Sequence, residues 1–245
     1  MKVIINGACG RMGSILVELV NDSSQFTLAA AVDKFTDKEG YYTSLSDFTG
    51  EADGIIDFSS HLGTEELLQY AVSRKLPLVI ATTGHTQEEH LAILEAANEI
   101  PIFQSANMSV GVALLVKLAK QAAAVLPDAD IEIVEKHHNR KLDAPSGTAL
   151  LIADGIKEVR QNAAYVYGRY GHGKREKNEI GIHALRLGNI IGEHEVILST
   201  DSQTVTLKHE AHTRTLFAEG ALTVFEYLIK QKPGMYNMYS MLGDQ

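Results

Sequence analysis

His137, His138 and Lys141 fall almost side by side, and Asp143-Ala144-Pro145-Ser146-Gly147-Thr148 follows directly. An apolar run, Asp130 to Val134, precedes the histidines and reads as a strand. Ala149, Leu150, Ile152, Ala153 and Ile156 come after at helical spacing. The stretch is therefore a strand end that turns through Pro-Ser-Gly-Thr into a helix. Imidazoles hold or move a proton near neutral pH. A lysine is a mobile point charge. A helix N-terminus offers unpaired N–H groups and the positive end of a dipole, which suits a carboxylate or phosphate. Each feature alone has a bland reading: loop histidines, or Ser146 as an ordinary helix cap. The combination points to a site that binds an anion and transfers a proton. Neighbouring side chains on a strand face opposite ways, so His137 and His138 do not chelate one ion well. Cys9, the sole cysteine, cannot complete a zinc set, and no metal is expected.

The elements that must position such a site begin at the N-terminus. Val3-Ile4-Ile5 reads as a buried parallel strand, and an apolar helix through Ile15, Leu16, Leu19 and Val20 follows a glycine-rich turn. The glycines stand at Gly7, Gly10 and Gly13, with Cys9 where a dinucleotide fingerprint usually has its second glycine. Residues Gly7, Ala8, Cys9, Gly10, Arg11 and Met12 form the candidate pyrophosphate turn. The next strand, Thr27 to Val32, ends at Asp33, whose carboxylate is placed to accept from ribose hydroxyls, and Lys34 follows it. Strands at Gly54–Phe58, Leu78–Ile80 and Ile102–Phe103 alternate with helices at Thr64–Arg74 and Gln87–Asn98. This rhythm predicts a doubly wound parallel sheet with ligands at the carboxyl ends of its strands. The tips Ala81-Thr82-Thr83 and Ser105-Ala106-Asn107-Met108 fall there. Val110 to Leu126 reads as a long helix bridging two domains. Ile180–Leu187, Ile191–Ser199 and Thr204–His209 alternate as strands and, with Asp130–Glu135, predict a four-stranded sheet. Glu193-His194 is assigned to an exposed strand face or a subunit contact. Tyr165 to Lys177 reads as a mobile loop. Its Tyr170…Lys174 spacing matches a short-chain dehydrogenase pair, but two glycines between them argue against the helix that pair requires.

His-His-x-x-Lys-x-Asp-Ala-Pro-Ser-Gly-Thr-Ala, at His137 to Ala149, resembles the signature of the 4-hydroxy-tetrahydrodipicolinate reductase (dihydrodipicolinate reductase) family of bacterial lysine and diaminopimelate synthesis. Gly-x-x-Gly-Arg-Met-Gly at Gly7 to Gly13 resembles the opening of the same family, and the likeness extends over nearly the whole chain. Two departures are Ala81, where the family usually has glycine, and His61, where a proline is common. The resemblance implies an α/β fold: a Rossmann-like doubly wound domain over 1–108, completed by 214–245, and an α+β substrate-binding and oligomerisation domain over 109–213 with a mixed sheet. It implies reduction of 4-hydroxy-tetrahydrodipicolinate by NADH or NADPH with loss of water. His137 and Lys141 are then the proton-transfer residues. Thr83, His138, Lys141, Ser146, Gly147 and Thr148 bind the dicarboxylate, and Gly7–Met12, Asp33, Lys34, Ala81–Thr83 and Ser105–Met108 bind the cofactor. It also implies a homotetramer. The alternatives are another two-domain reductase of an amino- or imino-dicarboxylate, or a nucleotide-sensing protein on the same fold.

Composition fits these expectations. The chain has 245 residues, 45% hydrophobic and 22% charged, enough for two domains. A formal net charge of −9 argues against nucleic-acid or anionic-membrane partners and requires a local positive pocket for an anionic substrate. One cysteine suits a reducing compartment, and Met1-Lys2 leads straight into a strand, so a cytoplasmic location is expected.

An acid followed by a base at Asp33-Lys34 predicts use of both cofactors, with a slight lean to NADH. The carboxylate holds ribose hydroxyls and repels a 2′-phosphate, and Lys34 offsets part of that repulsion. Lys34→Ala should weaken NADPH by about 1–2 kcal/mol, the scale of one charge-assisted contact, and barely touch NADH. Asp33→Ala should do the reverse. KM values for both cofactors in both variants decide the point. Equal effects of Lys34→Ala on the two cofactors would remove Lys34 from phosphate reading.

Overall fold

In the computed structural model, which describes residues 1–243, the elements run in chain order as β1 (Lys2–Asn6), α1 (Arg11–Asn21), β2 (Thr27–Val32), β3 (Gly54–Asp57), α2 (Thr64–Ser73), β4 (Leu78–Ile80), α3 (Gln87–Ala96) and β5 (Pro101–Gln104). There follow α4 (Val110–Val125), β6 (Asp130–His137), α5 (Gly147–Lys157), β7 (Ala164–Tyr167), β8 (Glu179–Arg186), β9 (Gly192–Ser199) and β10 (Thr204–Ala211). The last elements are α6 (Thr215–Leu228), β11 (Gly234–Tyr236) and α7 (Met238–Met241). Residues 244 and 245, the end of the segment expected to complete the first domain, lie outside the described residues. The chain divides into one unit of Met1–Ser109 with the segment from Thr215 onward, and a second of Val110–Arg214.

In the first unit six parallel strands are ordered β11-β5-β4-β3-β1-β2. Ile4, Ile55, Leu78, Ile80 and Ile102 in the strand centres are fully buried, as strands covered on both faces must be. The chain steps from β1 outward to β2, then reverses through β3, β4 and β5. The crevice of a doubly wound sheet opens at such a reversal, here between β1 and β3. Helix α6 arrives from late in the sequence and packs beside α1 and on β3, β4 and β5. It has one very tight spot: a Cβ added to Gly220 would lie 1.8 Å from the Met108 carbonyl oxygen.

In the second unit a mixed sheet is ordered β10-β9-β6-β8-β7, with β6 antiparallel to β9 and parallel to β8. It has five strands, one more than the four expected. Ala164–Tyr167 pairs with β8 as an edge strand, inside what read as the start of a loop. The glycines and charges after Tyr167 masked a strand only four residues long. The rest of 165–177 is irregular, and Tyr170 and Lys174 lie on no helix. Arg175 holds the end of this stretch, donating to Asp130 at 2.9 Å and Glu132 at 3.2 Å. Helix α4, expected to bridge the domains, belongs wholly to the second unit and packs on α5. Among the described residues no helix is long and apolar enough to cross a membrane.

The two-residue period of β6 sets the chemistry that follows. Ile131, Ile133, Glu135 and His137 are buried, and the residues between them are more exposed. In β9 the buried set is Gly192, His194, Val196 and Leu198. Register pairs His194 with Glu135 and Val196 with Ile133, so two ionisable side chains share a face with core aliphatics.

The Gly220 contact is testable. Gly220→Ala forces backbone apart inside a packed face and should destabilise the protein by about 3 kcal/mol, the upper end for overpacking. Urea unfolding measures it, and an unchanged midpoint would mean that α6 has room to shift.

Candidate active site

The glycine turn of the first unit is tight for identifiable reasons. Gly7 has φ +81°, and a Cβ there would sit 2.6 Å from the Phe58 carbonyl oxygen across the crevice. A Cβ on Gly13 would lie 2.0 Å from the Gly7 oxygen, so only glycine lets α1 start this close to the turn. The spacing of three closes a turn in which Gly10 N–H donates to the Gly7 carbonyl at 3.0 Å. Gly10 caps α1 without a side-chain bond, and the first turn of α1 has no acidic residue. Such a helix start suits a pyrophosphate. Asp33 is half-buried at the tip of β2 and Lys34 is exposed beside it. The Asp33 carboxylate also accepts the N–H groups of Cys9 at 2.9 Å and Phe35 at 3.1 Å. It therefore shapes the turn. Asp33→Ala removes this support for the turn as well, so in place of the NADH-selective loss expected from the sequence it should weaken both cofactors.

The other strand tips of this unit meet at Asp57, a residue that sequence reading passed over. Asp57 is 1% exposed and accepts from Asn6 Nδ2 at 2.8 Å, Ser59 Oγ at 2.5 Å and Thr82 Oγ1 at 2.6 Å. Burial pushes its carboxyl up from the usual range, although these bonds oppose the shift. Beside it lies a cavity of about 280 Å³ lined by Phe58 to His61 and Ala81 to Thr83. His61, at the family's proline position, begins a single helical turn capped by Ser60 and bonds Glu89 at 3.0 Å. The change is local. The tip after β5 is self-bonded: Ser105 Oγ donates to the Asn107 carbonyl at 2.8 Å, and Ser109 N–H donates to Asn107 Oδ1 at 2.9 Å. Ala106 lies within this turn, and Met108 is buried.

In the second unit the structure gathers His137 with three residues that sequence reading missed, Glu135, Arg186 and His194. Glu135 is fully buried. Its carboxylate accepts from His137 Nδ1 at 2.6 Å, from Arg186 Nη1 and Nη2 at 2.8 and 2.7 Å, and from Ser146 N–H at 3.0 Å. Burial alone would raise this carboxyl, but the bonds from His137, Arg186 and Ser146 outweigh it and hold it at about 2. His194, assigned from sequence to an exposed face or subunit contact, is only 4% exposed, with Nε2 3.1 Å from Ser146 Oγ. Its parity with Val196 and Leu198 was the available signal. Burial first, and the neighbouring His137 second, lower its ring from the ordinary 6.5 to about 3.

The remaining signature residues spread over the exposed turn and the helix start. Lys141 Nζ pairs with Asp143 Oδ1 at 2.9 Å, which lowers the Asp143 carboxyl. His138 is half-buried and its ring is lowered by burial and then by nearby Arg140 and Arg214. Ser146 is turned inward: its hydroxyl accepts from Ala149 N–H at 3.2 Å and bonds His194. Gly147 is exposed at the first position of α5, Thr148 is half-buried, and a Cβ on Gly147 would meet nothing within 4 Å. The α5 start therefore leaves open space above its backbone.

A pH dependence follows from His194. Its folded value lies below its unfolded value, so the unfolded chain binds more protons between about 6.5 and 3. This contribution is intact above pH 6.5 and is lost as pH falls toward 3. Asp57, shifted upward, works in the opposite sense. The difference between wild type and His194→Gln isolates the effect. The urea midpoint of wild type should fall more steeply across this window than that of the variant, and parallel curves would show that His194 is not held neutral.

Known proteins resemble this chain along its whole length. Two family models cover the chain: Dihydrodipicolinate reductase, N-terminus, over residues 1–108, and Dihydrodipicolinate reductase, C-terminus, over 111–242. The 4-hydroxy-tetrahydrodipicolinate reductase of Caldanaerobacter subterraneus subsp. tengcongensis is 48% identical over 246 residues, covering 99% of this chain and 98% of the relative. That of Clostridium tetani is 42% identical over 99% of this chain and 97% of the relative. A dipicolinate-bound dihydrodipicolinate reductase from Paenisporosarcina sp. TG-14 superposes with a TM-score of 0.84 at 26% identity, covering 99% of both chains. With both halves matched and near-half identity along its full length, the chain belongs to the dihydrodipicolinate reductase family.

Proposed function

We propose that the second unit binds a dicarboxylate at the start of α5 and delivers a proton from His137 and Lys141, in an NAD(P)H-dependent reduction of 4-hydroxy-tetrahydrodipicolinate. The observation that supports it most is the polar cluster at the end of β6, where His137 bonds a fully buried carboxylate beside an open helix start. In this reaction a hydride reaches C4 of the ring, the hydroxyl departs as water, and tetrahydrodipicolinate remains. Reduced nicotinamide dinucleotide, when bound, supplies the hydride. The balance of the reaction requires one proton from the site.

Each residue has a role that its surroundings suit. Gly147 and Thr148 N–H groups would receive one substrate carboxylate, with the α5 dipole behind them. Lys141 and His138 would neutralise charge on the substrate. Lys141 is held by the exposed Asp143, a partner that a substrate carboxylate can replace at little cost. His137 would serve as general acid–base and Lys141 as proton donor. Thr83, exposed after β4, is the first unit's candidate hydroxyl for the substrate. Ser146 would act by capping α5 rather than by touching the substrate, since its hydroxyl is already engaged.

The cofactor would be held by Gly7 to Met12, with Asp33 and Lys34 at the ribose and Ala81 to Thr83 and Ser105 to Met108 toward the nicotinamide. The glycine turn fits this use, since side chains at Gly7 or Gly13 would overlap backbone. The Asp33-Lys34 pair supports use of both NADH and NADPH. A homotetramer joined through the mixed sheet of the second unit follows from the family resemblance. A cytoplasmic location fits the single cysteine.

The activity is read as loss of NADH or NADPH absorbance on adding the aldolase product of pyruvate and aspartate semialdehyde. Lys141→Ala and His137→Gln should each lower turnover by roughly 10²–10⁴, the range for a positioned acid or base, with NADH affinity near wild type. Near-normal turnover in both variants would remove them from the proton chemistry.

A further inference from the structure

We propose that Glu135, clamped by Arg186, is a positioning residue that fixes the hydrogen of His137 on Nδ1 and so leaves Nε2 as the nitrogen that exchanges a proton with substrate. The inference rests on the reading of His137 as the acid–base. It extends that reading to two residues lying outside the signature string.

The donors around the carboxylate leave one arrangement. Oε1 receives Arg186 Nη2 at 2.7 Å and Ser146 N–H at 3.0 Å. Oε2 receives Arg186 Nη1 at 2.8 Å and lies 2.6 Å from His137 Nδ1. An arginine and a backbone amide only donate. The bidentate guanidinium of Arg186 and the Ser146 amide, three donors with no acceptor capacity, keep Glu135 ionised, so it has no hydrogen to offer. At 2.6 Å the remaining partner must therefore carry the hydrogen, and it sits on His137 Nδ1. The same guanidinium donates to the Asp143 carbonyl at 2.7 Å. Arg186 thus ties the orienting carboxylate to the turn that carries Lys141.

A second observation concerns the other nitrogen. A Cβ built on Gly192 would stand 3.1 Å from His137 Nε2. Gly192 begins β9, where its φ is not left-handed and other residues fit the backbone. A glycine there keeps side-chain bulk away from Nε2. One nitrogen is held by charge and the other is left uncrowded, the division of labour that an orienting carboxylate gives an acid–base histidine.

Glu135→Gln tests the clamp. The amide has one oxygen, and the Oε1 position, with two obligate donors, takes it. The amide NH₂ then faces His137 Nδ1 and Arg186 Nη1; the guanidinium cannot accept and must turn that N–H aside, whereas His137 Nδ1 becomes an acceptor, so the hydrogen moves to Nε2. Protein labelled with ¹⁵N-histidine reports this directly by NMR, the His137 signal being identified by its loss in His137→Gln. At pH 9 wild type should show hydrogen on Nδ1 and Glu135→Gln should show it on Nε2. Turnover should fall about 10²–10⁴-fold with NADH affinity unchanged. Gly192→Ala should keep the wild-type tautomer and still lose turnover by at least about tenfold, the low end of general acid–base effects. Bare Nδ1 in wild type, or Nδ1–H retained in Glu135→Gln, would overturn the proposal without depending on any rate. A flipped tautomer with full turnover would overturn the catalytic reading of His137 and leave only its orientation standing.

Discussion

A carboxylate with no solvent contact must receive donors or surrender its charge. Glu135 receives four bonds, and the second unit is arranged to supply them. The β6 strand places Glu135 and His137 on one face two residues apart. The β8 strand brings Arg186 alongside by parallel register. The start of α5 contributes Ser146 N–H, and β9 presents His194 directly across. Removing the donors of His137, Arg186 or Ser146 leaves a buried charge underbonded, which costs more than the lost contact itself. The polar cluster thus binds two neighbouring strands and a helix cap into one geometry.

Asp57 in the first unit is a useful contrast. It too is buried at a strand's carboxyl end and accepts three side-chain bonds. Its donors are an amide and two hydroxyls, all neutral, and its carboxyl is pushed up. Glu135 has a guanidinium and an imidazole, and its carboxyl is pushed down. Both are shut off from solvent, and the charged guanidinium among the donors is what Glu135 has and Asp57 lacks.

Much of this was legible in sequence where the signal is local. The glycine turn, the strand-ending Asp33 and the Thr82-Thr83 tip each follow from a short stretch of chain and a periodicity. So does the placement of His137 and Ser146 at the two ends of one turn. The missed residues depend on pairing across the sheet. Arg186 bonds Glu135 only because β8 lies beside β6, which no local pattern specifies. His194 stands between Glu193 and Glu195, and only its parity with Val196 and Leu198 marks it as inward. Strand β7 was hidden because an edge strand of four residues has too little alternation to stand out from the loop it enters.

Helix α6 and strand β11 belong to the first unit although the entire second unit is encoded before them. Phe225 of α6 is fully buried, and a Cβ on Gly54 would meet its ring at 2.8 Å. During synthesis the part of the sheet face over β3, β4 and β5 therefore stays uncovered until the whole second unit has left the ribosome, while α1 already lies on β1 and β2. The second unit, contiguous in the message, needs no such delay. Birth order and folding order are thereby inverted: the part made first is closed last, and a ribosome that stalls late in the message releases a chain whose apolar sheet face invites chaperones or aggregation.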